Sequence, residues 1–330
     1  MRKSKQTYQQ FLEKRHSKHQ VSEGLLSKIV EKATGQKTKT RERLIKGENS
    51  EVYDIKTDDS QEIVIRICRN EWSDYEAETW AIGKCKELGL PVPRVLFVGE
   101  ITDGTETVRV SVLEKLPGVS LGEIKSGDKK TLKNIVLQAG EMLSTIHTIK
   151  LTKFGGLDKE GNGRFETYRE YIEDRLDKVD KFGRSEAKTG ISDKLIQKAL
   201  KIIKANDAVF DEVSQSVLLH NDFSPKHILV ANGKITGIID FETVHGGYPL
   251  QEMARWDYYW GEKFPLSWLV EGYKNKELIG DDFDFKIHLF RMIFCLHVSV
   301  YYAETGNNPG LDHAKVELVR DLEYFKKARI

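Results

Sequence analysis

Two aspartates and a histidine in one short stretch, residues 218 to 242, carry the clearest chemistry of the sequence. In LLHNDFSPKHILVANGKITGIIDFE, Asp222 closes a polar turn after one apolar run, Asp240 follows a second, and His227 stands five residues after the first aspartate. Carboxylates fixed at strand ends and facing one site suit a metal–phosphate centre. Such a centre needs oxygen ligands for a divalent cation and a group to orient an acceptor hydroxyl. An aspartate at the end of an all-apolar strand has little else to satisfy it.

The elements around these residues have to hold them still. The β-branched runs 228–230 and 235–239, joined by Asn232-Gly233, predict a hairpin of buried strands. Upstream, alternation in residues 62–69 places Ile63, Ile65 and Ile67 on one face and Val64, Arg66 and Cys68 on the other. An arginine inside such a strand requires a carboxylate, because an unpaired buried charge is very costly. The helix expected over 73–88, capped by Ser73, offers Glu76 or Glu78 in its first turns, and spacing to the Pro91 turn selects Glu78. Residues 46–51 link two strands. With one glycine they form a loop whose backbone amides, Ser50 among them, are candidates to cover phosphates.

From 38 to 116 the pattern is that of strands; beyond Pro117-Gly118 it is mainly helical. The expected fold is therefore α+β and bilobal. An N-terminal lobe, 1–116, carries an antiparallel sheet, one main helix and a helical extension over 1–36. In that extension Ser22 caps a helix that Gly35 stops. A larger helical lobe, 117–330, carries the hairpin, with helices over 131–149, 165–182, 193–213, 250–260 and 283–302. A strand cation, a crossing segment and paired carboxylates form the layout that phosphoryl transfer from a nucleotide requires. Asp222 would orient the acceptor hydroxyl and Asp240 would bind magnesium, with His227 completing the metal site. Arg66, paired to Glu78, would hold the α and β phosphates. The backbone of Glu114 to Leu116 would meet the adenine or guanine edge.

Composition narrows the field. A net charge of +1 with 31% charged residues argues against nucleic-acid or anionic-membrane partners, which call for a basic excess. No apolar run approaches the roughly 18 residues of a spanning helix, and the opening residues lack a leader's apolar centre, so a soluble cytoplasmic protein is expected. Cys68, Cys85 and Cys295 are scattered, without a C-x-x-C pair, and read as reduced packing residues. A monomer or weak dimer is expected.

The residues His220-Asn221-Asp222, His227 and Ile239-Asp240-Phe241 after a hairpin resemble the catalytic loop and metal-binding aspartate of the aminoglycoside phosphotransferases, relatives of the protein kinases. IVIRICR resembles their nucleotide-lysine strand, LGLPVPRVLFVGE their helix-to-strand turn, VLEKLPGVSL their hinge, and FGGLDKEGNGRFETYREYI the segment after the first helix of their second lobe. The likeness covers most of 40–260 and within the family is greatest to the hygromycin B phosphotransferases. It implies a kinase that moves the γ-phosphate of ATP or GTP, with Mg2+, to an aminoglycoside hydroxyl. Three positions depart from the pattern. Arg66 replaces lysine but keeps the charge. His227 replaces asparagine, a weaker choice for magnesium that suits contact through water or with a phosphate oxygen. Glu242 stands where protein kinases have glycine, which implies a fixed loop.

Under that resemblance the acidic run from 240 to 284, ten acidic residues against four basic, becomes the expected acceptor side for a polycation. Glu242 and Asp257 lead Glu252, Glu262, Asp281, Asp282 and Asp284 as candidates. Competing readings are a small-metabolite kinase acting on an amino alcohol, a sugar amine or homoserine, a macrolide kinase, and a nucleotide-binding pseudokinase.

Overall fold

The computed structural model describes residues 7–17, 20–45, 47–48, 50–68, 75–104, 106–125, 127–183 and 190–328. The expected Ser73 cap, and Lys46 and Asn49 of the expected phosphate loop, lie outside them. Two helices come first, α1 (Tyr8–His16) and α2 (Glu23–Thr34). Ser22 Oγ accepts from Leu25 N–H at 3.1 Å, and Gly35 ends α2 in the left-handed region at φ 70°, as polar caps and C-terminal glycines do.

Next come β1 (Thr38–Leu44), β2 (Ser50–Thr57) and β3 (Glu62–Cys68), then α3 (Tyr75–Glu87), β4 (Val95–Asp103) and β5 (Glu106–Glu114). The five strands form one antiparallel sheet in the order β1-β2-β3-β5-β4. Ile63, Ile65 and Ile67 point into its core with Ile55, Val110 and Val112, and α2 lays Leu25 and Ile29 on the same face. Ala77, Ala81, Ile82 and Cys85 of α3 belong instead to the larger core of the helical part. By chain order α3 is part of the sheet lobe, by packing it is part of its neighbour, and Glu78 therefore sits on the seam.

The chain then passes through β6 (Val119–Ser120), α4 (Lys129–Ile146), β7 (Lys150–Leu151), β8 (Gly155–Gly156), α5 (Tyr168–Gly183), α6 (Asp193–Ala205) and β9 (Ser216–Leu219). The hairpin strands are β10 (Ile228–Ala231) and β11 (Lys234–Ile238). They are followed by β12 (His245–Gly247), α7 (Pro249–Trp260), α8 (Leu266–Gly272), α9 (Phe283–Thr305) and α10 (Asn308–Ala328). Gly118, φ 119°, lets the crossing segment lie against the hairpin. A Cβ there would stand 2.6 Å from Thr236 Oγ1 and 2.9 Å from the Val230 carbonyl, too close for any side chain.

The two aspartates do not leave one sheet. β10 pairs with β11 on one side and β6 on the other, whereas β9, which delivers Asp222, pairs with β7 and β12. The helix expected from 165 begins at Tyr168, because Phe165 exchanges backbone hydrogen bonds with Phe154 at 2.8 and 2.9 Å. That expected over 193–213 ends at Ala205, and a 3-10 turn over Asp207–Phe210 follows. Among the described residues no helix is long and apolar enough to cross a membrane, and all three cysteines are free and buried.

Candidate active site

Residues 220–222 leave the buried strand β9 on a tight turn in which Asn221 takes φ 61°, a conformation asparagine tolerates better than most residues. Glu252, the fourth residue of α7, fixes this turn from below. Its carboxylate accepts from His220 N–H at 3.1 Å, Phe223 N–H at 3.2 Å and His147 Nε2 at 3.2 Å. Burial works to raise the pKa of Glu252, but His147, His220 and the Phe223 amide outweigh it and hold the carboxyl below its usual value. His220 is wholly buried. Its Nε2–H donates to the Ile239 carbonyl at 3.0 Å and its Nδ1 accepts from Asp222 N–H at 3.3 Å. Both nitrogens are thus committed in the neutral ring, which ties the Asp222 turn to the strand that ends at Asp240.

Asp240 follows that strand with φ 71°, a strained position that aims its carboxylate between the lobes. Arg66 of β3 meets it there. Its guanidinium donates to Glu78 Oε1 at 2.5 Å and Asp240 Oδ1 at 2.9 Å, and also to Glu242 Oε2. Glu78 further accepts from Phe241 N–H at 3.2 Å, so β3, α3 and the segment after β11 are joined at one point. Crowding has a visible result: burial pushes the Glu78 carboxyl up to about 7 despite Arg66. Burial acts in the same sense on Asp240, but there Arg66 and His227 prevail and its carboxyl lies below the usual range.

His227 bridges the two aspartates. Its Nδ1 lies 2.9 Å from the Asp222 carbonyl and 3.5 Å from Asp222 Oδ2, and its Nε2 lies 3.1 Å from Asp240 Oδ2. Both nitrogens face oxygen atoms: the Asp222 carbonyl orients Nδ1, which turns Nε2 toward Asp240. One donor atom each from Asp222, His227 and Asp240 falls within 4.8 Å of the others. Arg255, one turn after Glu252 on α7, closes the other side of Asp222. Nη2 sits 3.0 Å from Asp222 Oδ1, and Nη1 donates to the Asn221 carbonyl.

The remaining candidates lie as follows. Glu114 N–H bonds the Arg94 carbonyl at 2.9 Å and Lys115 N–H the Glu62 carbonyl at 3.1 Å. Of residues 114–116 this leaves Leu116 N–H without a backbone partner among the described residues. Ser50 is buried with its hydroxyl 3.0 Å from the Tyr75 hydroxyl, at the root of the loop it was expected to serve. The two expected acceptor-side carboxylates are placed differently from that expectation. Glu242 is drawn to Arg66 because a buried guanidinium collects every carboxylate within reach. Asp257 lies two residues past Arg255, on another face of α7, and pairs with Arg291 at 2.6 Å.

Three residues of the site escaped the sequence reading: Arg255, the anchoring role of Glu252, and His147, which was taken for a packing or capping residue. An arginine three residues from a glutamate, alone in a locally acidic helix, was the available signal for Arg255.

A second feature is Glu48, in the loop between β1 and β2. Its carboxylate accepts from the hydroxyls of Tyr8 at 3.0 Å and Tyr301 at 2.9 Å, and from Asn307 Nδ2 at 3.1 Å. Its carbonyl accepts from Arg15 Nε at 2.5 Å, and the Gly47 carbonyl lies 2.6 Å from His16 Nε2. The loop is thereby held by α1 on one side and the α9–α10 turn on the other.

Residues 40–281 match the model of a phosphotransferase enzyme family, APH. Over 180 residues the chain is 23% identical to hygromycin-B 4-O-kinase of Escherichia coli, a match over 50% of this chain and 47% of that protein, so it spans about half the length of this relative. In three dimensions it is similar to a thermostable mutant of aminoglycoside phosphotransferase APH(4)-Ia in complex with AMP-PNP and hygromycin B. The TM-score is 0.73 at 18% identity, covering 90% of this chain and 97% of that one. It is also similar to a mutant aminoglycoside 2'-phosphotransferase-IIIa in complex with GDP, with TM-score 0.65 at 15% identity over 94% and 100% of the two chains.

Proposed function

We infer from the phosphotransferase enzyme family to which the chain belongs, matched over residues 40–281, that it is a kinase acting on hydroxyl groups. From that premise we propose that it moves the γ-phosphoryl group of ATP or GTP to a hydroxyl of a small molecule at the Asp222 turn. The observation that carries the reading is the convergence of Asp222, His227 and Asp240, with ligand atoms within 4.8 Å of one another, between two guanidiniums that fix their carboxylates. Loops of ordinary structure have no use for such crowding.

In this reading the lobes divide as 1–116 and 117–330. Leu116 N–H receives the base edge beside Glu114, and the loop that ends at Ser50 covers the phosphates. Arg66, positioned by Glu78, neutralises the non-reacting phosphates as they displace part of its carboxylate shell. Magnesium fits the donor set. Four carboxylates (Glu78, Asp222, Asp240 and Glu242) share two guanidiniums, a negative excess that a divalent cation balances. Asp240 and His227 would hold the ion, which supplies charge neutralisation for the phosphates. Asp222 accepts the proton of the acceptor hydroxyl as its oxygen bonds to the γ-phosphorus and the nucleoside diphosphate leaves. Arg255 keeps the carboxylate aimed for that step.

The relatives bring forward an aminoglycoside of the hygromycin B type as acceptor, with antibiotic resistance as the consequence. A small-metabolite acceptor is the second reading. It is favoured by the placement of Glu242 and Asp257, the carboxylates expected to receive a polycation, on Arg66 and Arg291. A transfer assay with ATP and GTP in parallel across hygromycin B, other aminoglycosides and small hydroxy compounds tests the whole. Transfer that survives Asp222→Asn undiminished would falsify the mechanism.

A further inference from the structure

Away from the metal-binding residues, the wall beside Asp222 is built from basic and aromatic groups. Arg255 is on Asp222, and the Asn221 amide lies 3.1 Å from His245 Nδ1. The His245 ring packs 6.0 Å from that of Tyr171, over which the Arg175 guanidinium sits at 4.8 Å. His297 of α9 joins them: α9 packs along α5, and the charges of Arg175, Lys178 and Arg255 all act on its ring.

Several features of this wall are incomplete, the Tyr171 hydroxyl and Arg255 Nε among them. Arg175 makes no ion pair among the described residues, and His297 Nδ1 is buried without a hydrogen-bond partner. Buried polar atoms in folded proteins are nearly always satisfied, by the chain itself or by something bound. Asp174 pairs with Lys178 at 2.8 Å, and Glu48 is filled by two tyrosine hydroxyls and an amide. Among the described residues that form this wall the carboxylate is Asp222, itself held by Arg255, and the Tyr171 hydroxyl, buried without a hydrogen-bond partner, can donate to an anion. An oxyanion would meet a free guanidinium and an open imidazole nitrogen, the pairing that makes the strongest hydrogen bonds available to side chains.

We propose that the acceptor is a hydroxy compound bearing an anionic group, a carboxylate or a phosphate, which Arg175 and His297 receive while Asp222 orients the hydroxyl. This rests on the phosphotransferase reading above and chooses between its two acceptor classes. Arg175 is then a specificity-determining residue on α5, and His297 a donor once the anion is in place.

The test uses one sugar skeleton in four charge states, glucose, glucosamine, gluconate and glucose 6-phosphate, with hygromycin B alongside, and measures kcat and KM for each. Calorimetric titration of sulfate into the full chain loaded with AMP-PNP reads the anion site directly. The expected result is a preference for gluconate or glucose 6-phosphate over glucose, glucosamine being the poorest. Gluconate ahead means a carboxylate acceptor, and glucose 6-phosphate ahead a phosphorylated one. Arg175→Gln should raise KM for the anion and weaken sulfate binding by about tenfold to a hundredfold, the loss of a charged hydrogen bond. Arg175→Lys should recover part of both, which a merely structural role would not do. A preference for glucosamine or hygromycin B overturns the proposal. So does sulfate binding that is absent, or unchanged in Arg175→Gln. If none of the sugars is consumed, the sulfate titration alone decides. Loss of the phosphotransferase reading would appear elsewhere, as transfer or nucleotide turnover indifferent to Asp222→Asn.

Discussion

Two buried arginines in this protein each gather three carboxylates, and their surroundings give them opposite characters. Arg66 binds Glu78, Asp240 and Glu242; Arg291 binds Asp257, Glu317 and Asp321. The partners of Arg291 all come from helices of one lobe, α7 and α10, and the cluster is finished by His288, 2.7 Å from Asp321 and stacked 3.9 Å from Tyr324. Arg66 draws its partners from both lobes. One of them, Asp240, is 31% exposed and shared with His227 at 3.1 Å. The same ions thus make a closed tie in one place and an exchangeable shell in the other. What separates them is whether an oxygen of the cluster can be reached from outside, not how many charges it holds.

Substitutions at the two clusters should therefore fail differently. The largest effect is expected at the open one. Asp222→Asn, at the edge of that cluster through His227, removes the proposed proton acceptor and should lower kcat by about 10²–10⁴-fold while the urea midpoint of unfolding barely moves. At the closed cluster Arg291→Ala should cost about 3–5 kcal/mol of stability, because it strands buried carboxylates. Initial rates per folded molecule should be retained. If Arg291→Ala abolishes turnover in protein shown folded by circular dichroism, the two clusters are not distinct.

The buried glutamates sharpen the contrast through pH. The carboxyl of Glu252 lies below its usual value when folded, so its contribution is present above the unfolded value of about 4.3 and is lost as pH falls. Glu78 is raised to about 7, so its contribution has the opposite sign. The folded state holds the proton more tightly, and stability is lost as pH rises from about 4.3 through 7. Unfolding midpoints against pH should lose the acid-side slope in Glu252→Gln and the neutral-side slope in Glu78→Gln. Either variant tracking the other would contradict the assignment. The smallest effect is expected at Glu48. Tyr8→Phe removes one hydrogen bond, about 0.5–1.5 kcal/mol, and should appear as faster amide exchange of the β1–β2 loop with little change in global stability.

Much of this was legible in advance because it follows from short-range rules. Apolar alternation put Ile63, Ile65 and Ile67 in the core and turned Arg66 the other way, and the cost of an unpaired buried cation required a partner on the next helix, where Glu78 meets it. Caps at Ser22 and Gly35, the Asn232-Gly233 turn and the break at Gly118 are likewise local chemistry. The misplacements are matters of tertiary competition. Nothing near Glu242 in sequence announces that Arg66, 176 positions away, will claim it. Asp257 is two residues from Arg255, and which of them faces Asp222 depends on the rotation of α7, which the sequence pattern leaves open. The separate sheet membership of β9 and β10 was hidden for the same reason, since two apolar runs on either side of a turn look alike whether or not they pair.

The clasp on Glu48 has a consequence in time. Tyr301 and Asn307 lie 253 and 259 positions downstream of the carboxylate they hold. At about 5–20 residues per second, some 13–50 s of synthesis separate the emergence of the β1–β2 loop from that of the residues that fasten it. Throughout that interval the sheet lobe can fold, but its loop has only α1 to lean on. If that loop covers the phosphates as proposed, a nascent chain would meet nucleotide with it unfastened, and full engagement would follow only once the α9–α10 turn has been made.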